Sequence, residues 1–279
     1  MTTWTQSQGQ VPSTVPAYSL PQRVTQARVL RSEWTKLRTQ PSTVWSLLSA
    51  VALIIGFGVL YSLLREARPP HGAAVASFDP TLVSLAGVQL AQIAVGVLGV
   101  LLITSEYASG MIRASFAAVP RRLPILWGKA ALLAAATVAV CVPATLATFL
   151  AGQSILGRQH LAASLGQPGV ARAVIGGALY LAVAGLLGLG LGALLRSTAG
   201  GIAAVFGLLF AIQIPVAFLP GTLPEEVGKF LPATAGQAVT TVYPDPSSSL
   251  APWVGFGLFC GYAVAVLVLA AWRMRRGDA

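Results

Sequence analysis

The sequence predicts an all-α membrane protein with six transmembrane helices, and three observations support that fold class. Apolar residues make up 55% of the 279 residues and charged residues only 9%, against about 25% charged residues in an average soluble domain. Six separate apolar runs each approach the roughly 20 residues that a helix needs to cross a bilayer. Basic residues collect in alternate connections between those runs, which is typical of cytoplasmic loops. The composition therefore excludes an ordinary soluble enzyme.

Two segments precede the first apolar run. Residues 1–22 are rich in Gln, Ser, Thr and Pro without periodicity, which predicts a disordered cytoplasmic tail. Residues 23–41 place Leu30, Trp34 and Leu37 on one helix face, with basic residues around it. We interpret this helix as interfacial, with contact to a soluble partner as the alternative, because a membrane span follows at once. Its proposed interfacial residues are Arg31, Glu33, Trp34, Lys36, Leu37 and Arg38.

The predicted transmembrane region covers residues 42–272. Its six apolar runs are residues 42–64, 82–103, 130–151, 173–195, 200–219 and 251–272. Only residues 196–199 separate the fourth run from the fifth, so we expect these two runs to form an antiparallel pair. Gln213 and Pro215 interrupt the fifth run. The remaining segments are two connections long enough to fold, residues 104–129 and 220–250, and a basic tail, residues 273–279.

The charge distribution predicts the orientation of the chain. If the amino terminus is cytoplasmic, 13 of the 18 basic residues and 3 of the 8 acidic residues lie on the cytoplasmic side. That side then carries the whole net charge of +10, and the opposite side carries none. This asymmetry is a strong positive-inside signal. It predicts a multi-pass protein of the plasma membrane with both termini in the cytoplasm, and it removes nucleic acid as the reason for the high positive charge.

The sequence offers no catalytic or metal-binding pattern. Gly128-Lys129 and Gly228-Lys229 are not followed by the Ser or Thr of a phosphate-binding loop. The two Cys and two His residues form no cluster with metal-ligand spacing. Neither the Ser–His pair nor the two intramembrane Asp residues of membrane proteases are present. We therefore expect a chain that is not an enzyme, has no cofactor or metal of its own, and depends on a separate subunit for any ATP-driven work.

Polar residues inside the apolar runs are few and uncharged. Gln89 and Gln92 are three residues apart and share a helix face in the second run, and Gln213 lies in the fifth. They form either interhelical hydrogen bonds or a weakly polar substrate path, and the sequence leaves both open. Gly188 and Gly192 form a GxxxG pattern, which favours close helix packing within the chain over a dimer interface.

Three segments resemble permeases of bacterial ABC transporters of the type 2 export branch, actinobacterial ones especially. The first is RVLRSEWTKLRTQPSTVWSLL, residues 28–48, before the first span. The second is ITSEYASGMIRASFAAVPRRLPILWGK, residues 103–129, after the second span. The third is KFLPATAGQAV, residues 229–239, before the last span. They occur in the family's order, and the resemblance extends over nearly all of the chain after the tail.

The resemblance implies a fold and a working unit. The amphipathic segment would be an elbow helix on the inner leaflet, and residues 220–250 would form short extracellular helices before the last span. Two six-helix permeases, as identical or paralogous copies, would join two ATP-binding cassette subunits, which bind ATP and Mg²⁺. The function implied is export of an apolar or amphiphilic substrate. The alternative is a six-helix assembly or sensor subunit that transports nothing.

The resemblance also implies a coupling helix between residues 106 and 122, which would dock on the ATPase. From the residues themselves, the arginines give this connection a cationic surface, Pro120 ends the helix, and Glu106 is its one acid, a partner for a loop arginine or an elbow residue. Positive-inside topology alone is the alternative explanation of the arginines. The proposed coupling residues are Glu106, Tyr107, Gly110, Arg113, Pro120, Arg121 and Arg122.

Overall fold

The computed structural model describes residues 39–68, 70, 78–108, 123–245 and 247–276. The predicted tail (residues 1–22) and all six proposed elbow residues lie outside these ranges. So do five of the seven proposed coupling residues: Gly110, Arg113, Pro120, Arg121 and Arg122. The domain boundaries proposed for these segments therefore stay predictions.

Six stretches of helix are long and apolar enough to cross a membrane, and no strand occurs in the described ranges. The predicted all-α membrane fold with six transmembrane helices is confirmed. Five spans are single helices: α1 (Pro41–Ala67), α3 (Gly87–Ala108), α4 (Leu123–Leu156), α5 (Val170–Leu195) and α10 (Pro252–Arg276). The remaining span, the fifth along the chain, consists of α6 (Thr198–Phe206), a π-helical turn (Gly207–Ala211) and α7 (Gln213–Ala217).

Three short helices lie outside the spans. They are α2 (Pro80–Ser84), α8 (Leu223–Gly228) and α9 (Pro232–Gln237), and a 3₁₀ turn (Ala238–Thr240) follows α9. Helices α8 and α9 occupy the connection for which short helices were expected. Helix α9 re-enters the bundle: Ala233 and Ala235 are fully buried, and α9 packs against α10.

Two predicted spans differ from the observed helices. The second predicted run begins at residue 82, but the chain first forms α2, turns, and starts α3 at Gly87. The Asp79 carboxylate caps α2, and a Cβ at Gly87 would collide with backbone carbonyl oxygens of α1. The turn therefore lies where only glycine allows that approach. The third span starts at Leu123 rather than residue 130, because Lys129, which was expected to end the connection, lies inside the helix beside an anion.

Helices α3 and α5 form the centre of the bundle. Of the residues in the most apolar stretch of each helix, 67% are buried in α3 and 72% in α5, against 17% in the fifth span. A Cβ at Gly188 would collide with the Gly96 carbonyl group, and Gly192 packs against Val100. The predicted role of the GxxxG pattern in packing within the chain is thus confirmed. Arg196, with a φ of 55°, ends α5 and turns the chain into α6, as the antiparallel pairing required.

The two ends of the bundle carry different polar residues, and we name each end by one of them. The Glu106 end contains the starts of α1, α4 and α6 and the ends of α3, α5 and α10. The Gln237 end contains α2, α8, α9 and the opposite ends of the spans. One candidate site lies at the Glu106 end, and the other lies at the Gln237 end.

Candidate functional site

A buried ion pair joins α3 to α4 at the Glu106 end. The Lys129 Nζ lies 2.9 Å from the Glu106 Oε1, and the two side chains are 2% and 6% exposed. Burying a lone charge would cost several kcal/mol, and the opposite charge at 2.9 Å lowers that cost for both groups. Because α3 and α4 flank the connection 109–122, the pair fixes the two helix ends to which that connection is attached.

Further polar contacts surround the ion pair. The Gln40 Nε2 donates to the Ser105 Oγ at 3.4 Å, and the Thr198 Oγ1 donates to the Thr104 Oγ1 at 3.0 Å. The Arg196 guanidinium carbon lies 5.7 Å from the centre of the Tyr107 ring. These contacts link α3 to the starts of α1 and α6 and to the end of α5. We call this set the polar layer: Gln40, Thr104, Ser105, Glu106, Tyr107, Lys129, Arg196 and Thr198.

The structure places two of the predicted coupling residues, Glu106 and Tyr107, in the polar layer. A loop arginine or an elbow residue was expected as the partner of Glu106, and both groups lie outside the described residues. The partner that the structure shows is Lys129, which the sequence placed at the end of the connection without a role in pairing. The available signal was a lysine next to the third apolar run and an acid at the end of the second.

The second group of polar contacts lies at the Gln237 end. The buried Gln92 Oε1 accepts a hydrogen bond from the Tyr180 hydroxyl group, which in turn accepts one from the Gln237 Nε2 at 3.4 Å. The Gln89 Nε2 donates to the Gln237 Oε1 at 2.9 Å. These four side chains connect α3, α5 and α9. Both glutamines of α3 therefore form hydrogen bonds between helices, Gln92 at a buried position and Gln89 at an exposed one.

A cavity of about 620 Å³ adjoins this network. It lies between α1, α2, the start of α3 and α9, and Gln89 and Gln237 contribute to its wall. Gln89 lies 17 residues before Glu106 on α3, about 25 Å along the helix at 1.5 Å per residue. The cavity and the polar layer are therefore separated by most of the thickness of a bilayer core, about 30 Å.

Gln213 does not join this network in the part of the chain that the structure describes. Its Nε2 donates to the Leu209 carbonyl oxygen of its own helix at 2.9 Å, beside the π-helical turn. The three glutamines proposed for a substrate path thus occupy three environments: Gln92 is buried between helices, Gln89 borders a cavity, and Gln213 lies exposed on the fifth span.

Arg172 holds the segment after α9 in place, a role that sequence reasoning missed. Its Nη1 donates to the Val239 carbonyl oxygen at 3.1 Å, and its Nη2 donates to the Thr241 carbonyl oxygen at 3.0 Å. Tyr180 and Gln237 were also missed. Gln237 lies within the third family-like segment, and Tyr180 is the one aromatic residue of the fourth apolar run, which were the available signals.

Comparison with known proteins agrees with this architecture. Residues 29–213 match the sequence model of the family described as ABC-2 family transporter protein. The match covers more than half of the chain and includes the connection between α3 and α4. No curated protein matches the chain. With six membrane-spanning helices and this family match, the chain belongs to the ABC-2 family of transporter proteins and is a multi-pass membrane permease.

Proposed function

We propose that the chain is the transmembrane subunit of an ABC exporter in a bacterial plasma membrane. It moves an apolar or amphiphilic substrate outward, and a separate ATP-binding cassette subunit binds ATP and Mg²⁺ and hydrolyses the ATP. The observation that carries this proposal is the buried Glu106–Lys129 pair, which fixes the two helix ends beside the connection 109–122. A partner that moves this connection would move α3 and α4 together.

The Glu106 end faces the cytoplasm in this proposal. The described residues there include Arg273, Arg275 and Arg276 in the last turn of α10, and the Arg276 guanidinium carbon lies 4.2 Å from the centre of the Trp272 ring. Arg113, Arg121 and Arg122 add positive charge in the connection between α3 and α4. Such a concentration of basic residues supports a cytoplasmic location.

A second permease copy, identical or paralogous, packs against the fifth span in the working unit that we propose. This span is the least buried of the six, at 17% of its apolar window. Phe206 and Phe218 are 51% and 85% exposed, and the Phe206 and Phe210 rings stack with centres 5.3 Å apart. Gln213, on the same span, then lies near the contact between copies, where we place part of the substrate path.

Charge reversal in the connection between α3 and α4 tests the proposal. The variants Arg113→Glu and Arg121→Glu should insert normally but lose binding and stimulation of the ATP-binding subunit. Arg158→Glu, at the Gln237 end, is the matched control and should retain both. The measurements are subunit pull-down and ATP hydrolysis in membranes. If both connection variants bind and stimulate the ATPase like the wild type, the coupling role is wrong, and a complex that never includes an ATPase would favour the assembly or sensor alternative.

A further inference from the structure

We propose that the cavity at the Gln237 end binds an amphiphile with one anionic head group and a single hydrocarbon tail. The cavity volume of about 620 Å³ lies within the range of about 300–1,000 Å³ that small-molecule sites occupy. Such a volume suits one hydrocarbon tail better than the two tails of a phospholipid. The part that this ligand plays in export rests on the proposed function, whereas its binding does not.

The α1 wall of the cavity changes from apolar to cationic along the helix. Phe57, Tyr61 and Arg65 are four residues apart and share one face. The Phe57 and Tyr61 rings stack with centres 6.3 Å apart, and the Arg65 Nη2 donates to the Tyr61 hydroxyl oxygen at 2.6 Å. The Arg65 guanidinium carbon also lies 5.0 Å from the centre of the Tyr61 ring. Tyr61 therefore holds the cation at the rim of the cavity.

The depth of these residues matches the polarity gradient of a bilayer. At 1.5 Å per residue, Phe57, Tyr61 and Arg65 lie about 24, 30 and 36 Å from the start of α1 at Pro41. A hydrocarbon core is about 30 Å thick. In the proposed orientation Phe57 lies within the outer leaflet, Tyr61 at its boundary and Arg65 among the head groups. An amphiphile in the outer leaflet likewise places its tail beside Phe57 and its head group beside Arg65.

The opposite wall of the cavity is mainly apolar. Leu85 and Val88 are each 3% exposed, so their side chains are packed inside the bundle. Leu82 and Phe57 are 43% and 37% exposed, so the apolar part of the cavity can be reached from the surface of the bundle that contacts lipid tails. A tail can therefore enter sideways from the bilayer and lie between α1 and α2.

The charges around the cavity favour an anionic head group. Among the described residues, no carboxylate lies within 4 Å of the Arg65 guanidinium group. Asp79 also lines the cavity, but its carboxylate accepts three backbone N–H groups at 2.9–3.2 Å. Glu66 faces away to Arg158, with an Nη1 to Oε1 distance of 3.3 Å. Among the described residues that line the cavity, Arg65 is thus the one cation available to pair with an anionic head group.

Photolabelling of the purified permease tests the site. The probe is lysophosphatidylglycerol with a diazirine in its acyl tail, added to protein in an uncharged detergent. We expect labelled peptides from α1 near Phe57 and from the Leu82–Gln89 segment. Unlabelled lysophosphatidylglycerol should compete about tenfold better than palmitoylglycerol, which has the same tail without charge, because a charge-assisted contact is lost. Equal competition by both lipids, or labelling elsewhere, would overturn the proposal.

Matched variants separate the site from general effects on the protein. Arg65→Gln should abolish the preference for the anionic competitor, whereas Arg68→Gln, an exposed arginine one turn away, should keep it. Ala86→Phe should fill the cavity and remove labelling, whereas Ala52→Phe, on the exposed face of α1, should not. Identical behaviour of the two arginine variants, with all proteins equally folded by circular dichroism, would refute the assignment of the head group to Arg65.

Reconstitution with the ATP-binding subunit distinguishes an exported substrate from a resident lipid. ATP-driven transfer of the probe to the opposite leaflet, lost in Arg65→Gln, would identify this chemistry as cargo. Labelling that persists without any ATP-driven transfer would retain the site but assign it to a resident lipid. If the wild-type permease is not labelled but still exports another substrate, the site is refuted and the proposed function remains intact.

Discussion

Removal of one charge from the buried pair should destabilise the permease strongly. Lys129→Met keeps the aliphatic stem but removes the cation that lies 2.9 Å from the Glu106 Oε1. At an effective dielectric constant of about 20, that attraction amounts to about 6 kcal/mol before desolvation is subtracted. Loss of one partner from a buried pair typically costs about 3–5 kcal/mol, because the other charge stays buried. We expect a loss of unfolding free energy in this range.

Two further variants test whether the loss of unfolding free energy comes from the buried pair. Arg158→Met removes the cation of the Arg158–Glu66 pair, whose arginine side chain is 69% exposed, and should cost at most about 1 kcal/mol. The double variant Glu106→Leu/Lys129→Met removes both buried charges. It should recover most of the lost stability, because apolar replacement of a whole buried pair is often neutral or stabilising.

The measurement is equilibrium unfolding of purified protein in dodecyl maltoside, titrated with SDS and followed by circular dichroism. A Lys129→Met variant within about 1 kcal/mol of the wild type would show that the pair contributes little. A double variant as unstable as the single one would show that the effect comes from the change of side chain and not from the loss of the ion pair. Either result would contradict the claim that the Glu106–Lys129 ion pair stabilises the permease.

Three other predictions concern packing, the elbow segment and topology. Gly188→Leu should abolish folding or reduce yield severely, because its side chain would collide with α3. Gly257→Leu, with open space around it, should be tolerated. The yield of monodisperse protein measures both effects. Trp34→Glu should weaken membrane insertion, since it replaces apolar indole surface at the interface by a charge. Normal insertion and assembly would count against the elbow. A reporter fused at Ala279 should be accessible only from the cytoplasm, and external access would reverse the proposed orientation.

The six spans could be predicted because each depends on local hydropathy alone. The break in the fifth span was also predictable, since Gln213 and Pro215 interrupt its apolar run, and the structure has a π-helical turn and a new helix there. The separate helix α2 could not be predicted in this way, because its end depends on the approach of Gly87 to the carbonyl groups of α1. That contact joins residues more than 30 positions apart, which hydropathy does not report.

The candidate site was predictable only in part. The sequence singled out Glu106, Gln89 and Gln92 because polar residues are rare within or beside apolar runs. Their partners, Lys129, Gln237 and Tyr180, lie 23 to 148 residues away along the chain, so helix packing decides which side chains meet. The direction in which α9 returns into the bundle, which brings Gln237 to Gln89, has no signature in local periodicity.

Site-directed cross-linking tests whether the connection between α3 and α4 contacts the ATP-binding subunit. A photoreactive amino acid replaces Ala114, in the connection between α3 and α4, or Tyr243, which is 67% exposed at the Gln237 end. Cells that express the permease together with a candidate ATP-binding cassette subunit are illuminated, and the products are identified by mass spectrometry. We expect an adduct with the ATPase from position 114 and none from position 243. An adduct from position 243 alone, or none from position 114 in a complex that still hydrolyses ATP, would contradict a coupling role of this connection.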